Sequence, residues 1–354
     1  MKVNRFISIV VCLMLSVAAS CNSISSEKSR KPVSKIEVSA EQLPLGSSLK
    51  VDVIIKLNGG KLQKAELYLD NELVYTSTAT SFTHEIDKLT QLGRHQLKIV
   101  AVKDDGQEGV NFKNIDVLST EAPVELQMKV VASYPHNPTH FTEGLEVYNG
   151  EFYESTGNNG ASGIYEFDLK TGKIKREIPL DKKYFGEGLT ILNNKIYQLT
   201  YKAKVGFVYD YQTLKQIDTF SYSNKEGWGL TNDRKNLIKS DGTEFIDVFD
   251  KDTYEVVRRI AVCDNKGAIR NINELEYYNG VIYANVWMTN LILKVDAKTG
   301  EVLAKIDCSQ IFSLLGNVAD ADVLNGIAID KSNGKIYITG KYFDKILEVQ
   351  FVEK

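Results

Sequence analysis

Phe141-Thr-Glu-Gly-Leu145 is the stretch that decides the fold. Weakened copies of it return as Phe185-Gly-Glu-Gly-Leu189, Gly227-Trp-Gly-Leu230, Ile272-Asn-Glu-Leu275 and Leu324-Asn-Gly-Ile327. From Leu145 to Leu189, Leu230, Leu275 and Ile327 the steps are 44, 41, 45 and 52 residues. Between the openings runs a second signature, a strand followed by Asp-x-x-Thr, at Asp168, Asp210, Asp250 and Asp296. In such a turn the aspartate accepts hydrogen bonds from the amides that follow it. A period of this length with several strands per unit is that of a propeller blade. The last unit stops at Ile346-Leu-Glu-Val-Gln-Phe351, one strand short, while Met128-Lys-Val-Val-Ala-Ser-Tyr134 lies ahead of the first opening with no unit of its own. Donated to the last unit, that strand closes the ring and leaves no open sheet edge. The pattern predicts a five-bladed β-propeller over residues 121–354.

Upstream, residues 35–120 carry short alternating runs such as Leu49-Lys-Val-Asp-Val-Ile-Ile55 and Gln96-Leu-Lys-Ile-Val-Ala-Val102, separated by turn residues at Asn58-Gly-Gly60 and Asp104-Asp-Gly106. About seven strands in that length predict an immunoglobulin-like β-sandwich without an internal disulfide. His84 and His95 are expected at its surface or hairpins. Residues 1–20 combine basic Lys2 and Arg5, an apolar run and Ala18-Ala-Ser20, the parts of a secretory signal. Small residues before Cys21 resemble a bacterial lipobox, so Cys21 is expected to be lipidated. Residues 21–34 are then a flexible tether. The expected product is an exported, membrane-anchored lipoprotein on the periplasmic or cell-surface side.

Lys plus Arg number 43 against 46 for Asp plus Glu, a net charge of -3 that offers no footprint for nucleic acid. The 4 His and 4 Cys are too few and too scattered for most His-rich metal sites or a disulfide scaffold. Chemistry is therefore expected from carboxylates, amides, lysines and aromatics. Cys263 and Cys308 end similar strands in neighbouring repeats, which leaves either a disulfide or two unpaired thiols. His136 and His140, just before the first opening, are read as solvated or bonded to backbone, with no metal.

Residues that precede innermost strands converge at one mouth of a propeller channel. That places Phe141, Glu143, Phe185, Glu187, Trp228, Asn273, Glu274 and Asn325 there, a partly apolar pocket with convergent polar groups. On one reading, Glu-Gly-Leu recurs only because glycine permits tight packing at the axis.

The ordered series just quoted, with Glu154-Ser-Thr-Gly157 and Ala284-Asn-Val-Trp287, resembles the glutamine cyclotransferase family of the plant and bacterial type from about residue 125 onward. The resemblance implies a five-bladed propeller that converts N-terminal glutamine of peptides or proteins to pyroglutamate with release of ammonia. It implies no zinc and no cofactor, and a monomeric enzyme is expected. Carried over by position, it puts the central acid on Glu187, the amide-binding residue on Asn273 and the basic residue on Lys341. Phe141, Phe185, Trp228 and Trp287 form the aromatic wall. Glu143 stands where glutamine is usual and Tyr201 where tryptophan is usual. A second carboxylate beside Glu187 would raise the proton affinity of the pair. Two rival readings use the same mouth: a non-catalytic propeller that binds peptide or glycan, and a metal-dependent hydrolase with Glu143, Glu187, Asn273 and Asn325 around calcium.

Overall fold

The computed structural model describes residues 30–316 and 319–354 and is built almost wholly of β-strands. The signal segment and Cys21 lie outside the described residues.

Two sheets form the N-terminal part. Val33–Val38, Leu49–Lys56 and Ser81–Ile86 make one antiparallel sheet in that order. The other runs Gln42–Pro44, Glu108–Leu118, Gly93–Lys103, Leu62–Leu69, Glu72–Ser77. Strand periodicity decides what is buried: Leu49, Val51, Val53 and Ile55 point inward and Lys50, Ile54 and Lys56 outward. With Leu67, Leu97, Ile99, Ile115 and Val117 they form one core, which Ala261 and Cys263 from the C-terminal part join. His95 does not lie on the surface. It is buried, with Nδ1 2.5 Å from Asp70 and Nε2 2.9 Å from the Gln91 carbonyl oxygen.

The C-terminal part begins with three four-stranded antiparallel sheets. These are Thr142–Tyr148, Glu151–Thr156, Gly163–Phe167, Ile174–Pro179; then Gly186–Leu192, Lys195–Thr200, Val205–Asp210, Gln216–Ser221; then Leu230–Asn232, Asn236–Ser240, Phe245–Asp250, Val256–Ala261. An eight-stranded sheet follows. Half of it is Ile272–Tyr278, Val281–Val286, Leu291–Asp296, Val302–Asp307, and half is Leu324–Asp330, Lys335–Gly340, Lys345–Glu353 with Val124–Pro135. Val124–Pro135 runs antiparallel to Lys345–Glu353, from Lys345 opposite Pro135 to Glu353 opposite Leu126. It also pairs in parallel with Ala304–Asp307, which joins the halves.

The first strands of these groups contact one another in cyclic order, and Leu324–Asp330 returns to Thr142–Tyr148. Glycine makes the approach close enough: a β-carbon on Gly144 would lie 2.8 Å from the Leu189 nitrogen, and one on Gly229 2.2 Å from the Asn273 oxygen. Buried carboxylates brace the same strands. Glu274 accepts from the amides of Leu145 at 3.2 Å and Ile327 at 2.8 Å, and Glu146 accepts from Ile191 at 2.9 Å. The Asp-x-x-Thr turns take the expected form, with the Thr171 amide 2.9 Å from Asp168 Oδ1 and the Thr213 amide 2.8 Å from Asp210 Oδ1.

Cys263 and Cys308 are unpaired and buried in different core clusters. Burial pushes both thiols up to about 12, so neither is a reactive thiolate at neutral pH.

Candidate active site

The residues that lead into the first strands gather around one cavity of about 810 Å³. Phe141, Glu143, Phe185, Glu187, Tyr201, Trp228, Asn273, Trp287 and Lys341 all line it. Their convergence follows from the cyclic packing: each opening lies at the same end of its own sheet. Two expected members lie elsewhere. Glu274 is turned onto the bracing amides of Leu145 and Ile327 and is absent from the lining. Asn325 sits behind the wall, with its Nδ2 donating to Glu143 Oε2 at 3.2 Å and to the Thr142 carbonyl oxygen at 2.9 Å.

Aromatic rings supply the apolar surface. Trp228 and Trp287 meet edge to face at 5.5 Å, and Phe185 lies 5.9 Å from Phe141 and 5.7 Å from Tyr201. Trp228 is oriented by its indole N–H, which donates to Glu226 at 3.0 Å. Trp287 is 38% exposed and Met288 66%, so they form the rim. Lys225, Glu226, Asp241, Thr243, Asn271, Met288 and Asp322 also line the cavity and were not singled out from the sequence. They come from loops between strands, whose reach depends on backbone turns. Asn271 and Met288, for instance, both take positive φ near 63°.

Polar groups in the floor are buried and unequal. Lys341 Nζ lies 2.7 Å from Glu143 Oε1 and 4.2 Å from the centroid of the Phe141 ring. Burial pushes Glu143 up to about 7, with Asp322 adding to the shift and Lys341 opposing it. Glu187 is raised well above the carboxylate range, by burial first and then by the charges of Glu143 and Glu226, against the pull of Lys341. Asn273 Oδ1 is buried without a hydrogen-bond partner among the described residues. A carboxyl group that holds its proton, a second carboxylate beside a lysine, and an unsatisfied amide within aromatic walls can together bind a carboxamide and move protons at it.

His136 and His140 do not line this cavity. They flank the buried carboxylate of Glu154, with His136 Nε2 at 3.1 Å and His140 Nδ1 at 2.6 Å. His136 Nδ1 faces the Phe343 carbonyl oxygen at 2.6 Å, and Thr142 Oγ1 donates to Glu154 at 2.7 Å. His136 is bonded to backbone as expected, while the solvated alternative is corrected for both, since each is buried against Glu154. Ligand atoms of the three groups lie within 4.8 Å of one another, a spacing that admits a metal ion. The sequence hid this cluster because Glu154 belongs to the adjacent strand. Glu154 is held far below the usual carboxylate range: burial works to raise it, but the two imidazoles and their hydrogen bonds outweigh burial.

A family model described as glutamine cyclotransferase matches residues 107–351, starting earlier than the quoted motifs, one residue before the strand Glu108–Leu118. The glutaminyl-peptide cyclotransferase of Arabidopsis thaliana is 38% identical over 228 residues, 63% of this chain and 71% of that protein. The crystal structure of Myxococcus xanthus glutaminyl cyclase aligns with a TM-score of 0.61 at 32% identity, covering 65% of this chain and 98% of that one. Matching along most of its length, with the recurring openings gathered at one cavity, the chain belongs to the glutamine cyclotransferase family.

Proposed function

We propose that this enzyme is a glutaminyl-peptide cyclotransferase, closing the N-terminal glutamine of peptides or proteins to pyroglutamate with release of ammonia. The observation that carries this is the pairing in one cavity of buried Glu187, whose proton affinity burial raises, with the Asn273 amide oxygen, which has no partner among the described residues. The substrate's α-amine attacks its own γ-carboxamide carbon, so nucleophile and electrophile arrive in one molecule. The site has to hold the reactive rotamer, stabilise the oxyanion and relay protons.

Trp228, Trp287 and Phe185 enclose the glutamine side chain. The Asn273 amide meets the carboxamide end to end, its Oδ1 accepting from the substrate NH2 and its Nδ2 donating to the oxygen. Lys341 has three N–H donors, of which Glu143 takes one, and directs another at the developing oxyanion. Glu187 gives a proton to the departing nitrogen and takes one from the attacking nitrogen. No step requires a metal ion.

The same reading takes the cyclic packing of first strands as a five-bladed propeller over residues 121–354, and the two N-terminal sheets as an immunoglobulin-like sandwich over 35–120. It places the chain outside the cytoplasm as a monomer, anchored through a lipid at Cys21. The sandwich then lifts the propeller off the membrane.

Incubating the protein with a peptide that begins in glutamine tests the activity. The expected result is loss of about 17 daltons, the mass of ammonia, with turnover undiminished by a strong chelator. An unchanged peptide would refute the cyclase reading. Loss of turnover with chelator and its restoration by a metal ion would refute the metal-free mechanism and point to His136, His140 and Glu154.

A further inference from the structure

Five carboxyl groups line the cavity, and the structure treats two of them, Glu143 and Glu187, differently. Both oxygens of Glu143 meet N–H donors: Oε1 the Lys341 ammonium at 2.7 Å, Oε2 the Asn325 amide at 3.2 Å. Donors on both oxygens, one of them charged, favour the ionised form. No described residue gives the Glu187 carboxyl an ion pair or hydrogen bond, and it is buried at a cavity that aromatic residues also line, which favours the protonated form. The charged groups that face Glu143 are Lys341, Asp322 and Glu187.

Cyclisation removes two protons from the α-nitrogen. That nitrogen arrives largely as ammonium, since an α-amino group titrates at about 7.7–8.0. A protonated Glu187 cannot accept the first of these protons. We infer that Glu143 is a second catalytic residue, the base that takes the first proton from the substrate's α-ammonium, while Glu187 serves the later transfer to the leaving group. This rests on the cyclase reading above.

The steps balance. Glu143 carboxylate accepts a proton and the ammonium becomes amine. The amine forms the N–C bond at the carboxamide carbon, whose π electrons move to oxygen. Glu187 gives its proton to the former amide nitrogen and receives the second proton from the ring nitrogen. The carbonyl re-forms, the C–N bond breaks and ammonia leaves. Glu143 then returns its proton to water or to the ammonia. The surroundings agree: Lys341 and Asn325 donate to the charge on Glu143, and no described residue donates to the Glu187 carboxyl.

The test is the pH profile of kcat/KM for Glu143→Gln against the unsubstituted protein, using one peptide that begins in glutamine. Glutamine keeps the shape and can still accept from Lys341, but cannot take the proton, so the variant depends on substrate that is already free amine. The ratio of wild-type to variant kcat/KM is expected to fall by at least about tenfold between pH 6.5 and pH 9, as free amine becomes abundant. A purely structural role would lower activity equally across the range. A flat ratio, including loss of activity at every pH, overturns the inference. Failure of the wild-type protein to cyclise the peptide would instead refute the parent reading.

Discussion

A β-carbon on Gly188 would lie 2.4 Å from the backbone nitrogen of Leu230, so the Glu-Gly-Leu opening of one sheet packs directly onto the first strand of the next. The Gly188 amide also donates to the Trp228 carbonyl oxygen at 2.8 Å. In the opening Glu187-Gly-Leu189, then, glycine serves packing at the axis while the glutamate beside it faces the cavity. The packing and catalytic readings of the motif apply to adjacent residues.

Gly188→Ala is accordingly expected to destabilise the protein. The clash is with backbone and cannot be relieved by a rotamer change, so the cost should reach or exceed the about 1–3 kcal/mol usual for overpacking. Chemical denaturation would measure it. An unchanged midpoint would show that neighbouring first strands are not held as closely as described.

Glu187→Gln is expected to abolish turnover without altering the fold, because the amide keeps the shape but cannot carry a proton. The loss should be about 100- to 10,000-fold or greater in kcat, the range of general acid–base catalysis. Steady-state kinetics with a peptide that begins in glutamine, paired with a melting curve, checks both halves. Normal turnover would remove Glu187 from the mechanism.

Lys341→Met is expected to move the acid side of the pH profile upward. The Lys341 charge lowers the proton affinity of Glu143, so without it only the Asn325 amide opposes burial and Asp322, and the carboxyl rises further above about 7. Its ionised form then appears only at higher pH. The acid inflection of kcat/KM should shift up by about one unit or more, alongside a lower maximum from the lost oxyanion donor. A downward shift would contradict the assigned ion pair.

Deleting residues 121–136 should unfold the C-terminal part, whereas deleting 30–119 should leave it folded. Val124–Pro135 covers the whole outer side of Lys345–Glu353, links it to Val302–Asp307 and contributes buried Met128 to the core there. The N-terminal part touches it through Phe245, Ala261 and Cys263 and through hydrogen bonds from Ser119 to Asp264 and Glu301. Soluble yield and thermal melting of the two truncations provide the comparison, and equal behaviour would refute the closing role of this strand.

Periodicity along the chain was enough to read the order of strands, the pairing of Met128–Tyr134 with the last group and the mouth residues Glu187 and Asn273, while Lys341 came from the family resemblance. Those features repeat locally: a strand has a period of two, an opening returns every 41 to 52 residues, and each repeat puts equivalent positions at the same end of its sheet. Tertiary structure alone decided what depends on contacts between distant segments. It turned Glu274 onto the amides of Leu145 and Ile327 and away from the cavity, brought His136 and His140 to Glu154, buried His95 against Asp70 and kept Cys263 and Cys308 in separate cores. It also set Lys341 on Glu143, 198 residues away in sequence, and gave Glu187 no such partner. Which of two similar carboxyl groups holds its proton is settled by burial and by the nearest charge, and neither is a property of a residue's place in the sequence.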